Sequence, residues 1–220
     1  MARTKNRAIA LGLVSKRSAL TYATVLAILG LGVLAVYTNA LTVLIGILGL
    51  FFYVIVYGVA KRRSVHGTLV GSISGALPPV AGYVAVANRI DAIAITLFFI
   101  LVFWQMPHFY AIATYRRKDY KAAGIPVLPV VKGLRIAKRD ILLYTLAFGV
   151  AAVYLSFSAH TGLPYFLVAL TLSLFWLVSG LRSYTAKDDE RWARKMFGIS
   201  LLVLMVLCVF IGLSGFSAFR

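Results

Sequence analysis

The sequence predicts an all-α, polytopic membrane bundle of seven transmembrane helices, and three observations carry that prediction. Hydrophobic residues make up 61% of the 220-residue chain and mean hydropathy is +0.91, whereas ordinary soluble domains are roughly half apolar. Seven apolar stretches each reach or approach the roughly 20 residues a helix needs to cross about 30 Å of hydrocarbon. They are apolar all round, without the alternation over about ten residues that a membrane barrel requires.

The first stretch, near residues 18 to 37, follows a basic start. That order resembles a signal peptide, but the run is too long for an h-region and lacks a small-residue cleavage site, so it reads as a retained span. The second, 41 to 60, closes on Lys61, Arg62 and Arg63. In the third, 66 to 86, Gly67, Gly71 and Gly75 recur every four residues and share one face, where a neighbour can pack closely. Pro78 and Pro79 then free backbone carbonyls and bend that helix, either around a substrate chamber or simply for packing. The fourth, 91 to 113, contains WQMPHFYAIA and runs into Arg116, Arg117 and Lys118. The remaining stretches lie near 141 to 159, 164 to 181 and 197 to 217. Cys208, the single cysteine, falls inside the last, so no internal disulfide is possible and a packing role is expected. No linker interrupts the pattern, which makes residues 1 to 220 one transmembrane domain with polar connections at 61–65, 114–140 and 182–196.

Charge sorts by connection. Of the 23 Lys and Arg residues, 21 lie in the N-terminal segment and the even-numbered connections. The positive-inside rule therefore places those segments in the cytoplasm and the C-terminus outside. The net charge of +17 does not point to nucleic acid, because no soluble domain presents a phosphate-tracking face. The long basic connections make the cytoplasmic end the expected site of chemistry.

His108 lies about five residues inside the end of its span, roughly 8 Å of helical rise. An ionisable group at that depth is costly and is a functional candidate by default. Its possible roles are haem-iron ligand, base or hydrogen-bond donor, against the alternative of an imidazole bonded to an adjacent helix. Trp104 shares its face and Gln105 is its i,i+3 neighbour. Arg3 and Arg7 would form a fork for phosphate oxygens if ARTKNR were helical. Lys61 with Arg62, and Arg116 with its neighbours, are either positive-inside flanks or, converging on one side, a polyphosphate site. Only six acids exist. Asp119 is the one beside the exit of the His108 helix, and as a single carboxylate it makes an incomplete site for Mg2+. Asp188, Asp189 and Glu190 sit among Lys187, Arg191 and Arg194, as in a solvated helix with local ion pairs. No Walker loop, zinc pattern or Ser-His-Asp order is present.

The segments ARTKNR, GTLVGSISGALPPVAGY, WQMPHFYAIA and RRKDYKAAGIPVLPVVKG, followed by DDERWARKMFG, closely resemble the protohaem IX farnesyltransferases. These haem O synthases are a branch of the UbiA-type intramembrane prenyltransferases. The likeness covers essentially the whole chain. It implies conversion of haem b and farnesyl diphosphate to haem O plus diphosphate, with Mg2+ acting through the diphosphate. By position, Arg3 and Arg7 match the family's arginine pair, Asp119 its second acidic motif and His108 the histidine of the WQMPH segment. Lys61 and Arg62 resemble the basic loop near the diphosphate, less specifically. Ala123 stands where other superfamily branches carry a second aspartate, which argues against a quinone-precursor prenyltransferase. The family has nine spans and an Asp-rich motif on its first pair, whereas these 220 residues hold seven spans and no such motif. The expectation is therefore an N-terminally truncated form with reduced or absent activity. The resemblance further implies a bacterial inner membrane and a haem A synthase or terminal oxidase downstream. The alternatives are a non-catalytic haem-binding or oxidase-assembly membrane protein and, more remotely, a small transporter.

Overall fold

The computed structural model describes residues 6–217 and is helical throughout, with no strand among those residues. Turns over residues 6–14 lead into α1 (Lys16–Tyr37). A second span follows as α2 (Ala40–Phe51), a π-helical stretch (Phe52–Tyr57) and α3 (Gly58–Arg63). Next come α4 (Gly67–Ala87), α5 (Ala92–Tyr115), two short helices α6 (Arg117–Ala122) and α7 (Leu128–Val131), then α8 (Gly133–Ser158), α9 (Gly162–Leu181) and α10 (Asp189–Ser217). Seven helices in the described residues are long and apolar enough to cross a membrane.

Helix α5 is the hub. It packs on α4, α8 and α10 and is the most buried of the spans. Around it sits a core built from Ile100, Met106, Ile141, Phe148, Trp176 and Met196. Between helices the polar devices are few but specific. Trp104 Nε1 donates to Ser200 O at 2.7 Å, tying α5 to α10. Tyr165 donates to Ala152 O at 3.0 Å, tying α9 to α8. In hydrocarbon such groups need internal partners, and Trp104 and Tyr165 find theirs on backbone carbonyls. By contrast α1 has no buried residue, as suits a helix apolar on every face.

The end remote from the basic connections is closed by caps. Asn39 caps α2 by accepting from Thr42 N at 3.0 Å, while its Nδ2 donates to Val84 O at 2.8 Å in the last turn of α4. Asp91 caps α5, accepting from Ile93 N and Ala94 N, and is also bonded by the Tyr83 hydroxyl at 2.7 Å and Arg89 Nε at 2.8 Å. The Tyr83 bond is the largest influence on Asp91. With Arg89 and the two N–H groups it outweighs desolvation and holds the carboxyl down at about 2.

Three expectations change at the basic end. The 114–140 connection contains α6 and α7, and α8 starts at Gly133 rather than near 141. Helix α10 starts at Asp189 rather than near 197, which shortens the 182–196 connection. Asp188 Oδ1 accepts from Glu190 N at 2.9 Å and Arg191 N at 3.1 Å, and acids in the first turn complement the helix dipole. The acids also do not pair locally with Lys187, Arg191 or Arg194. Asp189 meets Lys138 at 2.5 Å on α8, and Glu190 meets Lys118 at 3.8 Å on α6. Cys208 is exposed on the outer face of α10 instead of packed.

Candidate functional site

A cavity of about 500 Å³ opens among α2–α3, α4, α5 and the segment after α6. Its volume lies within the roughly 300–1,000 Å³ of small-molecule pockets. Helix α4 contributes a wall of small residues, Gly67, Gly71 and Gly75 with Thr68 and Ser74. The neighbours close on this stripe. A Cβ at Gly71 would lie 2.8 Å from two Tyr57 ring carbons, and one at Gly67 3.0 Å from Lys61 Cα. A Cβ at Gly75 would collide with Gln105 Oε1. The tight packing expected of this stripe is present, and the same glycines also line the cavity.

The opposite wall comes from the π-helical stretch. It departs from the regular i to i−4 ladder, and Tyr53, Tyr57 and Lys61 all line the cavity. The Tyr53 and Tyr57 rings stack at 5.9 Å, and Lys61 Nζ lies 5.4 Å from the Tyr57 ring centre. Gln105 stands on α5, fixed by donating to Leu101 O at 3.0 Å and Ser72 O at 3.2 Å. Those bonds leave Gln105 Oε1 turned to Gly75. Tyr120 and Pro126 bring the connection after α5 over the mouth. Among the described residues Lys61 is the one charged side chain in this lining; besides the Gln105 amide, the rest is aromatic, aliphatic or hydroxyl-bearing. Such a lining suits an elongated apolar molecule with an anionic end.

The anticipated site residues distribute unevenly. Lys61 is in the cavity wall, while Arg62 is exposed beside it at the end of α3. Arg3 lies outside the described residues. Arg7 is exposed in a turn and its carbonyl accepts from Leu11 N at 3.0 Å; the fork expected of Arg3 and Arg7 falls outside the described residues. Asp119 is in the first turn of α6, and its nearest cation is Arg116 at 3.7 Å. It is adjacent in sequence to the cavity residue Tyr120 but is not itself in the lining. Among the described residues no cluster of three or more His, Cys, Asp or Glu could hold a metal. A hard cation takes about six oxygen ligands, so these residues do not by themselves form a magnesium site.

His108 faces α10 rather than the cavity. Its ring stacks on Trp104 at 4.6 Å and packs against Phe197 at 4.9 Å. Its Nδ1 lies 2.7 Å from Ser200 Oγ. Ser200 has one hydroxyl proton, and Phe197 O accepts it at 2.6 Å. Nδ1–H is therefore the donor to Ser200 Oγ, which leaves the lone pair on Nε2. Gln105, three residues earlier, faces the other way, and Phe109 separates the two surfaces with its ring edge-on to His108 at 5.1 Å. Tyr53, Tyr57 and Gln105 are among the cavity residues that sequence reasoning did not weigh as a site. The available signal was the aromatic run FFYVIVY, one turn before KRR.

Comparison with known proteins places the chain in a family. The model of the UbiA prenyltransferase family matches residues 1–215. Protoheme IX farnesyltransferase 2 of Pseudomonas fluorescens (strain Pf0-1) is 49% identical over 214 residues, covering 97% of this chain and 72% of that protein. Protoheme IX farnesyltransferase 2 of Pseudomonas putida (strain W619) is 48% identical over 219 residues, covering 99% of this chain and 74% of that protein. No solved structure matches. A glycine-walled, aromatic cavity with a basic mouth in an apolar bundle and a family match along nearly the whole chain lead to one conclusion: the chain belongs to the UbiA prenyltransferase family.

Proposed function

We propose that this protein is a protohaem IX farnesyltransferase that joins farnesyl diphosphate to haem b in the membrane, and that the cavity among α2–α5 holds the prenyl diphosphate. The observation that carries the reading is the pairing of Lys61 with Tyr57 at the mouth of a cavity whose depth is walled by glycine. The diphosphate would sit at Lys61, with Arg62, Arg116 and the Arg3–Arg7 segment proposed as further sources of positive charge. The tail would run along Tyr53 and Tyr57 toward Gly75 and Gln105.

The chemistry follows from the charges. The allylic C1–O bond breaks and its electron pair leaves with diphosphate, whose developing charge a fixed cation stabilises. The allylic cation forms beside the Tyr57 ring, whose face is attractive to positive charge. C1 then bonds to the terminal vinyl carbon of haem b, and water adds at the adjacent carbon with loss of a proton. Haem b, farnesyl diphosphate and water become haem O and diphosphate. Magnesium bound to the diphosphate would add electrostatic stabilisation to the leaving group; Asp119 is the one carboxylate close to the mouth, and no step above depends on it. His108, with Nε2 as the acceptor atom, is proposed for the porphyrin side, approached along α5 and α10.

The basic end is proposed to face the cytoplasm and the membrane to be a bacterial inner membrane, from the bias of Lys and Arg among the connections. A second reading, haem binding without transfer, is favoured by the lack of any carboxylate in the cavity lining. The test is to supply membranes containing the protein with haem b, farnesyl diphosphate and Mg2+ and to search for haem O by mass. Haem O that disappears with Lys61→Met supports transfer. A haem spectrum that changes with His108→Ala, without any haem O, supports the second reading.

A further inference from the structure

We propose that a second groove, between the end of α9 and the start of α10, binds the headgroup of an anionic phospholipid. This proposal does not depend on the catalytic reading. The groove encloses about 580 Å³ and is separate in its lining from the cavity among α2–α5. Its floor is apolar, with Phe175, Met196 and Ile199 beneath the Trp192 ring. Its rim carries Arg182, Lys187, Arg191 and Lys195, all exposed.

What separates this rim from an ordinary positive-inside flank is where the acids go. Asp188 lies in the groove but uses Oδ1 to cap α10. Asp189 is turned to Lys138 and Glu190 to Lys118. Among the described residues, none of the four rim cations has a carboxylate within ion-pair distance. Four cations thus converge on one concavity against a single carboxylate, Asp188, that is not ion-paired to any of them.

The groove is also braced. Trp192 Nε1 donates to Ser179 O at 3.1 Å. Lys138 stands over the Trp192 ring at 5.9 Å and donates to Ser183 O at 3.0 Å. These three interactions hold α8, α10 and the end of α9 together around the site, at the level where an apolar span gives way to a basic connection.

The chemistry selects the occupant. A phosphate meets the rim but leaves the floor uncovered, and a zwitterionic lipid covers the floor without net charge for the rim. An anionic phospholipid does both, and basic pockets between spans are suited to such headgroups.

The experiment uses the full chain in detergent micelles, titrated with phosphatidylglycerol carrying brominated acyl chains, with tryptophan fluorescence as the readout. Of Trp104, Trp176 and Trp192, only Trp192 lines the groove. Brominated phosphatidylglycerol is expected to quench saturably, at concentrations about tenfold below brominated phosphatidylcholine, and Trp192→Phe to abolish that component. Arg191→Gln with Lys195→Gln is expected to shift the midpoint upward by about tenfold, and Arg182→Gln with Lys187→Gln to do so independently should the first pair fold poorly. Equal curves for the two lipids overturn the proposal, as does an unchanged curve in both double variants. Reversal by millimolar inorganic phosphate would make the groove a small-anion site, and displacement by equimolar haem b would make it a porphyrin site; either result also overturns it.

Discussion

Lys61→Met removes the one charge in the cavity lining while keeping an unbranched side chain of similar reach. A unit charge about 4 Å from a phosphate oxygen is worth about 4 kcal/mol at an effective dielectric near 20. Lys61 sits at an open, exposed mouth, so solvent and salt leave roughly 1–2 kcal/mol, or about 5- to 30-fold in affinity. The assay is binding of farnesyl thiodiphosphate, whose carbon–sulfur link resists ionisation, to the purified protein, with farnesol as the uncharged comparison. The diphosphate should weaken by that factor and become less salt-sensitive, while farnesol stays within about twofold because the apolar walls are untouched. Equal losses for both ligands would mean that Lys61 acts through packing on Tyr57. No loss for either would place the diphosphate elsewhere and refute the assignment.

Other consequences are as specific. Gly71→Ala puts a Cβ 2.8 Å from the Tyr57 ring, so the ring must swing into the cavity; farnesol and the diphosphate should weaken together by a few fold, with unfolding shifted by less than about 1 kcal/mol because the ring can move. Ser200→Ala leaves Nδ1–H of His108 without its acceptor in a buried interface, and the unfolding midpoint should fall by the equivalent of about 1–3 kcal/mol; Ser200→Thr should recover part of that loss. The Tyr83 hydroxyl, with Arg89 and the two capping N–H groups, holds the Asp91 carboxyl down at about 2, below the ordinary aspartate range. Its contribution is therefore complete above about pH 4 and is lost as pH falls from there toward 2. Unfolding measured across that window should show a loss of roughly 1–2 kcal/mol, discounted for partial exposure, that is absent in Asp91→Asn.

The seven spans were legible because composition alone drives them: runs such as 41 to 60 have nowhere to go but hydrocarbon. Ends were less legible. GLRIAKRD and DERWARK look like polar connections to a hydropathy reading, yet the Asp188 cap and the acidic first turn start α10 before the apolar run begins. The glycine repeat at Gly67, Gly71 and Gly75 announced a close approach on α4. It did not say that Tyr57 and Gln105 would be the approaching groups, since that depends on a π-helical stretch with no spacing signature of its own. His108 and Gln105, three residues apart, looked like neighbours. Instead Trp104 and Ser200 draw His108 to α10, while Ser72 O and Leu101 O hold Gln105 against Gly75. A one-dimensional reading ranks polar residues in a span by cost, and only the packed partners decide which of them faces a cavity.

The most direct test of the central claim is photo-crosslinking with a farnesyl diphosphate analogue that carries a diazirine in its tail, on the protein in membranes, followed by peptide mapping. The account predicts labels on α2–α5, at Tyr53, Tyr57 or Phe109, that excess farnesyl diphosphate removes. Competable labels confined to α9 and α10 would contradict it.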